Sequence, residues 1–390
     1  MHKNRAKKGA CIAVGLVVVA LVVVAFFLLY DFNALPAADG ESAFAGDSKE
    51  LKATEIVPTL DTPIPQGKNA IWCASFLSAW KTLEDDIAKE PISLAGDPQI
   101  VRALNEAADP RPHIPAESLY VAAGWNNEGI TEQIKSDLAE KFPDKAPPVF
   151  PEIALDSFVA YGYLEANAKF AIPYFQNREP LEFTDTTGKK TKLNSFGVRF
   201  EDEFAYRELR QQPGILFVDR KKNRRRPDCI VDLDRFSQPN QIILALIDPK
   251  PTLAETLASA ENKIKEAKKE KIYGLGSSDV LLVPDMVWQI THRFIELEGI
   301  EFTNVKLKGQ QIDHAQQDIQ FCLDRSGIEL KSEAKMYCES METFYIFNRP
   351  FLLYMKKRDA EMPYFVMWVD NAELLNKWNG KSIEKDQPHE

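Results

Sequence analysis

The longest apolar run in the chain, Gly9 to Tyr30 (GACIAVGLVVVALVVVAFFLLY), contains no charged residue. As a helix its 22 residues span about 33 Å, enough to cross the hydrocarbon core of a bilayer. Lys3, Arg5, Lys7 and Lys8 precede it and Asp31 follows it. That asymmetry places the N-terminus in the cytoplasm and everything after Asp31 outside. A cleaved signal peptide is the alternative, since Ala34 to Ala38 offers small residues, but the apolar part of such a signal is usually shorter. The expectation is a single-pass cell-membrane protein with a cytoplasmic basic tail (1–8), a transmembrane helix (9–30) and an extracytoplasmic remainder. Residues 31–66 are rich in Ala, Gly, Asp, Ser, Thr and Pro and lack sustained periodicity, so they read as a flexible linker. A folded domain is expected over 67–378, followed by a polar tail at 379–390.

Within that domain the pattern alternates between helical and extended signals. Asn69 to Ile87 has apolar residues spaced for a buried helix. Ile130, Ile134, Leu138 and Phe142 recur every four residues, predicting an amphipathic helix that Pro143 ends. Thr252 and Glu255 form a capping-box pattern ahead of Leu253, Leu257, Ala260 and Ile264. Short β-branched runs at Ile215–Val218, Ile230–Leu233, Ile242–Ile247 and Val280–Val283 predict strands. Ile319, Phe321 and Leu323 alternate with Gln320 and Cys322, as in a half-buried strand, and Phe344–Met355 and Tyr364–Val369 are two further apolar runs. Helices early and strands clustered late predict an α+β architecture.

Charge narrows the functional classes. The chain of 390 residues carries a formal charge of −10. Without the four basic residues before position 10, there remain 58 acidic and 44 basic side chains, a formal −14. Such a domain is not suited to general nucleic-acid binding. Catalytic and metal signatures are missing: none of the five histidines has a partner at ligand spacing, and HExxH, CxxC, GxSxG and a Walker loop do not occur. Gly274-Leu-Gly-Ser-Ser278 lacks the following Lys of a phosphate loop and reads as a turn. His292 and Glu296 read as exposed decoration of a helix, and Asp232 and Asp234 as a solvated strand end. No enzyme activity, metal or cofactor is expected.

One segment reverses the overall charge. Arg220, Lys221, Lys222, Arg224, Arg225 and Arg226 crowd into seven residues between two strand-like runs, as a hairpin tip would. A solvated loop and a contact for a polyanion or anionic lipid are both open. Cys73, Cys229, Cys322 and Cys338 lie beyond the span, and their pairing, if any, is open to three patterns.

Tyr345 to Met355 (YIFNRPFLLYM) resembles the C-terminal signature of the serpin family, with Asn348, Arg349, Pro350 and Phe351 at its centre. Upstream, Asp324-Arg-Ser-Gly-Ile-Glu-Leu-Lys-Ser-Glu-Ala334 resembles the serpin hinge, with Gly327 and Glu329 matching its Gly and Glu. Asn69–Ser78, Phe158–Phe175, Leu181-Glu-Phe183 and Val283-Pro-Asp-Met286 are similar to further family segments in the same order. The resemblance, to a divergent membrane-anchored bacterial-type member, covers roughly 67–375.

It implies a large mixed sheet, two smaller sheets and surrounding helices. It also implies an exposed reactive loop that a protease cuts and that then inserts as a new strand in the main sheet. Family spacing puts the cut at Met341-Glu342, or at Glu339 or Ser340 if the loop is one or two residues shorter, and Met before the bond suits a chymotrypsin-like or elastase-like protease as partner. The hinge residues would be Gly327, Ile328, Glu329, Leu330, Ser332 and Ala334. Departures are specific. Ile328 and Leu330 are bulky where family inhibitors carry small residues, and Arg325 replaces an acidic residue. Gln317 stands in place of the sheet-opening His, and Cys73 in place of a Ser beneath the sheet. The reading that results is a member that binds partners or serves as a protease substrate without trapping; a working serine protease inhibitor is the alternative.

Overall fold

The computed structural model describes residues 43–143, 146–166, 169–199, 207–221, 223–267, 274–325 and 343–378. The apolar segment 9–30, most of the hinge, the Met341-Glu342 bond, Lys222 and the tail 379–390 lie outside the described residues. Among the described residues no helix is long and apolar enough to cross a membrane.

The strands in chain order are β1 (Phe44–Asp47), β2 (Thr54–Ile56), β3 (Asn69–Cys73), β4 (Leu119–Trp125), β5 (Phe158–Leu164), β6 (Phe175–Gln176), β7 (Leu181–Thr184), β8 (Lys190–Leu193) and β9 (Ser195–Val198). They continue with β10 (Gly214–Asp219), β11 (Asp228–Asp232), β12 (Asn240–Leu246), β13 (Val280–Pro284), β14 (Met286–Arg293), β15 (Gln316–Leu323), β16 (Phe344–Ile346), β17 (Phe351–Lys357) and β18 (Phe365–Val369). The helices are α1 (Ala74–Thr82), α2 (Gln99–Glu106), α3 (Ile130–Lys141), α4 (Arg207–Gln211) and α5 (Leu253–Ala267). Residues 135–149, which include the end of α3, belong to one compact unit, and the other described residues form a second.

A seven-stranded sheet of order β10-β11-β12-β17-β18-β3-β2 carries the core. It is mixed, because β2 runs parallel to β3 while its other neighbours are antiparallel. A three-stranded sheet β1-β14-β15, a four-stranded sheet β16-β13-β9-β6 and the pairs β4-β5 and β7-β8 complete the α+β architecture. The burial of β15 alternates residue by residue, as its sequence pattern requires. Phe321 of β15 stacks on Trp288 of β14 at 5.3 Å and on Phe365 of β18 at 4.9 Å, and Trp288 is 6.3 Å from Phe365, so the three rings form one cluster. That cluster joins the three-stranded sheet to the seven-stranded one.

Five expectations need correction. Asn69–Cys73 is a strand, and the helix begins only at Ala74. Paired on both sides and covered on both faces, β3 shows no alternation and merges into the apolar face of α1. The run Phe344–Met355 is two strands, split at Asn348–Pro350, because proline has no N–H to continue a ladder. Residues 44–66 are not a plain linker. β1 adds to the edge of β14, β2 adds to β3, and the Glu373 carboxylate accepts from Lys52 N, Ala53 N and Thr54 Oγ1. Strands of three or four residues are too short to show a period, which is why the sequence pattern passes over them.

The fourth concerns Asp232 and Asp234, which are buried rather than solvated. Asp232 Oδ2 accepts from Gln241 Nε2 at 2.7 Å and Arg358 Nη1 at 3.1 Å, and Asp232 Oδ1 accepts the Asp234 N–H. Burial pushes the Asp232 pKa up, and Gln241 and Arg358 oppose it. Asp234 Oδ2 accepts the Ala171 N–H and Oδ1 the Phe236 N–H. His292 lies on β14, not on a helix, and its Nδ1 is 2.8 Å from Ser48 Oγ. Asp232→Ala would leave the Arg358 guanidinium without its carboxylate in a largely buried site. We expect a loss of about 3 kcal/mol in unfolding free energy, read from denaturant midpoints. A loss within measurement error would show the pair to be dispensable.

Candidate functional site

Among the described residues no ladder joins β5 to β15, although the two strands lie over the same support. That support is the start of α1. A Cβ on Gly162 of β5 would meet the Ser75 carbonyl oxygen at 2.4 Å, so only glycine allows β5 to come this close. From the other side, Gln317 of β15 donates through Nε2 to the Cys73 carbonyl at 3.0 Å and to Ser75 Oγ at 2.9 Å. Tyr161 of β5 feels the charge of Asp318 of β15; burial and that carboxylate push its phenol up to about 12. Among the described residues, then, one edge of β5 and one edge of β15 lie over the start of α1 and no described strand pairs with either.

The C-terminal end of this gap is pinned. Tyr174 N donates to the Arg325 carbonyl at 3.1 Å, and Arg325 Nε donates to the Tyr174 carbonyl at 3.1 Å. Tyr174 is fully buried, its hydroxyl donates to the Leu233 carbonyl at 2.5 Å, and its ring packs edge-on against Phe170 at 5.0 Å. The turn before it is held by Gln212, whose amide bonds both Ile172 N and Ile172 O, and by Asp234. Arg325 is the last described residue before 326–342.

Beside this pin lies Asp285, the single residue between β13 and β14. It is buried; Oδ2 accepts from Gln176 Nε2 at 2.7 Å, while Oδ1 has no hydrogen-bond partner among the described residues. Burial raises its carboxyl to about 7, the Asp324 charge adds to that, and Gln176 and Arg325 pull the other way.

The chain returns at Thr343, in the four-stranded sheet rather than in the gap. Thr343 N donates to Asp279 Oδ1 at 3.0 Å, and β16 then runs parallel to β13 with Phe344 opposite Val280. The signature residues that follow are structural. Arg349 Nη2 bonds Asp228 Oδ1 at 2.6 Å, the Asn348 carbonyl accepts the Thr184 N–H, and buried Phe351 packs against Phe347 at 5.5 Å. Pro350 lies in the break between β16 and β17, which carries the chain from one sheet to another.

The basic segment is the expected hairpin tip between β10 and β11. Arg220, Lys221, Arg224, Arg225 and Arg226 are all exposed. Its backbone is fixed by Asn223 Oδ1, which accepts from Arg225 N and Arg226 N, and by Asp219 Oδ1, which accepts from Lys221 N. The Arg225 carbonyl accepts the Phe344 N–H at 2.7 Å, and Arg220 also bonds the Tyr345 side chain. The cationic tip thus adjoins the point where the chain re-enters from 326–342.

Cys73, Cys229 and Cys322 are free thiols, so no disulfide forms among these three; Cys338 lies outside the described residues. Burial pushes the Cys229 thiol up to about 12; Cys322, exposed at the surface, is pushed up to about 12 by partial desolvation and the neighbouring Asp324 carboxylate, so both are poor nucleophiles near neutral pH. Among the described residues no group of three or more His, Cys, Asp or Glu is placed to hold a metal ion.

Sequence reasoning singled out Gln317, Cys73 and Arg325 by their departure from the serpin pattern, and the structure brings the first two together under the gap. It passed over Tyr174, Gln212 and Asp285. Asp285 lies inside the quoted Val-Pro-Asp-Met run, but nothing in that run signals that both neighbouring strands bury it.

The architecture, a large mixed sheet with smaller sheets and a long segment joining β15 to β16, is the serpin-like α+β fold expected from the sequence. No family model and no curated protein sequence matches the chain. Among solved structures it is similar to mouse protein-Z dependent protease inhibitor, at 15% identity over 78% of this chain and 91% of that one, with a TM-score of 0.47. It is also similar to the thermophilic serpin tengpin in its native state, at 12% identity over 83% and 98%, with a TM-score of 0.46. For Serpin48 of the insect Tenebrio molitor the values are 13%, 83%, 93% and 0.40. At such identities and scores none of these structures transfers a property to this chain.

Because the folded pKa of Asp285 is raised, its stabilisation is complete at acid pH and is lost as pH rises through about 7. Asp285→Asn removes that titration. The variant should gain about 2–3 kcal/mol relative to the parent between pH 5 and pH 8, measured by denaturant unfolding. A difference flat across pH would show that the carboxyl does not titrate there.

Proposed function

We propose that this chain is a membrane-anchored, extracytoplasmic serpin-like protein whose segment 326–342 is bait for a protease of the chymotrypsin or elastase type. In this reading the bait is bound or cut near Met341-Glu342 without trapping the protease. The anchor reading rests on the uncharged run 9–30 and the flanking charges. The bait reading rests on the sequence resemblance together with where 326–342 leaves and returns.

One observation favours the non-trapping form: the Tyr174–Arg325 double hydrogen bond at the end of the gap. A strand inserted between β5 and β15 must enter at that end, since 326–342 leaves from Arg325. Both bonds must break first. Ile328 and Leu330 add bulk at the first positions to enter, where each overpacked residue costs about 1–3 kcal/mol. Insertion competes with hydrolysis of an acyl-enzyme, and about 1.4 kcal/mol is already tenfold in rate.

Incubation of the full-length chain with chymotrypsin and elastase tests this. Cleavage within 326–342, no complex surviving SDS and an unchanged melting temperature after cleavage are expected. A covalent complex, or a higher melting temperature of the cut form, would overturn the non-trapping reading in favour of a working inhibitor. The variant pair Arg325→Ala and Leu330→Ala should shift the outcome toward insertion, with the cut form melting above the intact one.

A further inference from the structure

The cationic hairpin has no role in the bait reading, yet its loop backbone is ordered. Its five described cations are exposed, and their backbone is held by two side-chain acceptors within the loop itself. The backbone of such a tip is already ordered, so little backbone entropy is lost when its charges meet an anion. The rest of the domain is acidic, which makes this one local site of attraction on a body that an anionic surface would repel. Screening over about 10 Å allows a tip to be attracted while the body behind it is not felt.

The position of the tip relative to the incoming chain identifies the partner. The described chain begins at Ala43, whose N–H bonds the Val287 carbonyl at the start of β14. The hairpin bonds Phe344, which pairs with Val280 at the start of β13. Val280 and Val287 are seven residues apart along a nearly continuous extended stretch, at most about 23 Å. Allowing for the two pairings, chain entry and cationic tip lie on the order of 30 Å apart. Residues 31–42, between the apolar run and the first described residue, reach about 40 Å when extended. A chain anchored at 9–30 can therefore lay this tip on the bilayer that holds it.

We infer that Arg220, Lys221, Arg224, Arg225 and Arg226 form a docking surface for the anionic lipid headgroups of the anchoring membrane. The inference deepens the proposed function and rests on its anchor. Docking turns the re-entry point at Thr343–Tyr345 toward the lipid, so that 326–342 is offered to partners at the membrane surface rather than in bulk solution.

The test uses the full-length chain reconstituted in vesicles of phosphatidylcholine, with or without phosphatidylglycerol, and reads hydrogen exchange at 220–226. Exchange should slow at least about tenfold in the anionic vesicles only, since each cation near such a surface is worth about fivefold. The slowing should vanish in about 1 M salt and in the triple variant Arg224→Gln, Arg225→Gln, Arg226→Gln. Equal exchange in both vesicles overturns the inference. So does protection in phosphatidylcholine by added heparin matching that of the anionic vesicles, which would assign the tip to a soluble polyanion. A chain that floats with neither vesicle would remove the anchor itself, an outcome separable from failure of the hairpin to dock.

Discussion

The organisation of this molecule turns on two strand edges that, among the described residues, pair neither with each other nor with another strand. A backbone N–H or C=O at a sheet edge has to find water, a side chain or another strand. β5 and β15 are each laddered on one side only among the described residues, and both rest on the first residues of α1. Closing the gap between them would require one strand to leave its neighbour or its support. Filling it would require a strand from elsewhere. In the chain, 326–342 follows two residues after β15 ends.

Both sides of the gap are held by aromatic contacts. On the β14–β15 side Trp288 and Phe321 pack with Phe365 of the seven-stranded sheet. On the β4–β5 side Trp125 packs on Phe158 at 5.4 Å and Phe158 on buried Phe302 at 5.5 Å, while Gly162 lies against the α1 backbone. At the rim the Tyr174–Arg325 pair ties the two sides to each other.

How much of this could be read from the chain depended on how each signal is encoded. The late strands β10 to β13, β15 and β18, and helices α3 and α5, follow from local periodicity and capping, so their residues declare themselves. β3 did not, because a strand buried on all sides looks like any apolar run. β1 and β2 are held by partners far along the chain, Val287 and Glu373 among them, and a short sequence cannot show a distant partner. The same limit hid the site. Asp285 and Gln176 are an ordinary acid and amide until four strands converge on them. Gln317 was legible only as a departure from a family pattern, and its bonds to Cys73 and Ser75 give that departure a physical meaning.

Arg325 carries the same lesson further. An ionised carboxylate at that position can only accept hydrogen bonds, and the atom presented to it across the gap is the Tyr174 carbonyl oxygen, which also only accepts. A guanidinium donates there, and does so while the Arg325 backbone accepts from the Tyr174 N–H. Arginine at the base of segment 326–342, where the serpin pattern has an acidic residue, therefore does more than change a charge. It converts a place where the two sides of the gap would repel lone pair against lone pair into one where they are tied. A chain built to admit a strand at that rim has no use for such a tie, whereas one whose bait is meant to stay outside gains from it directly.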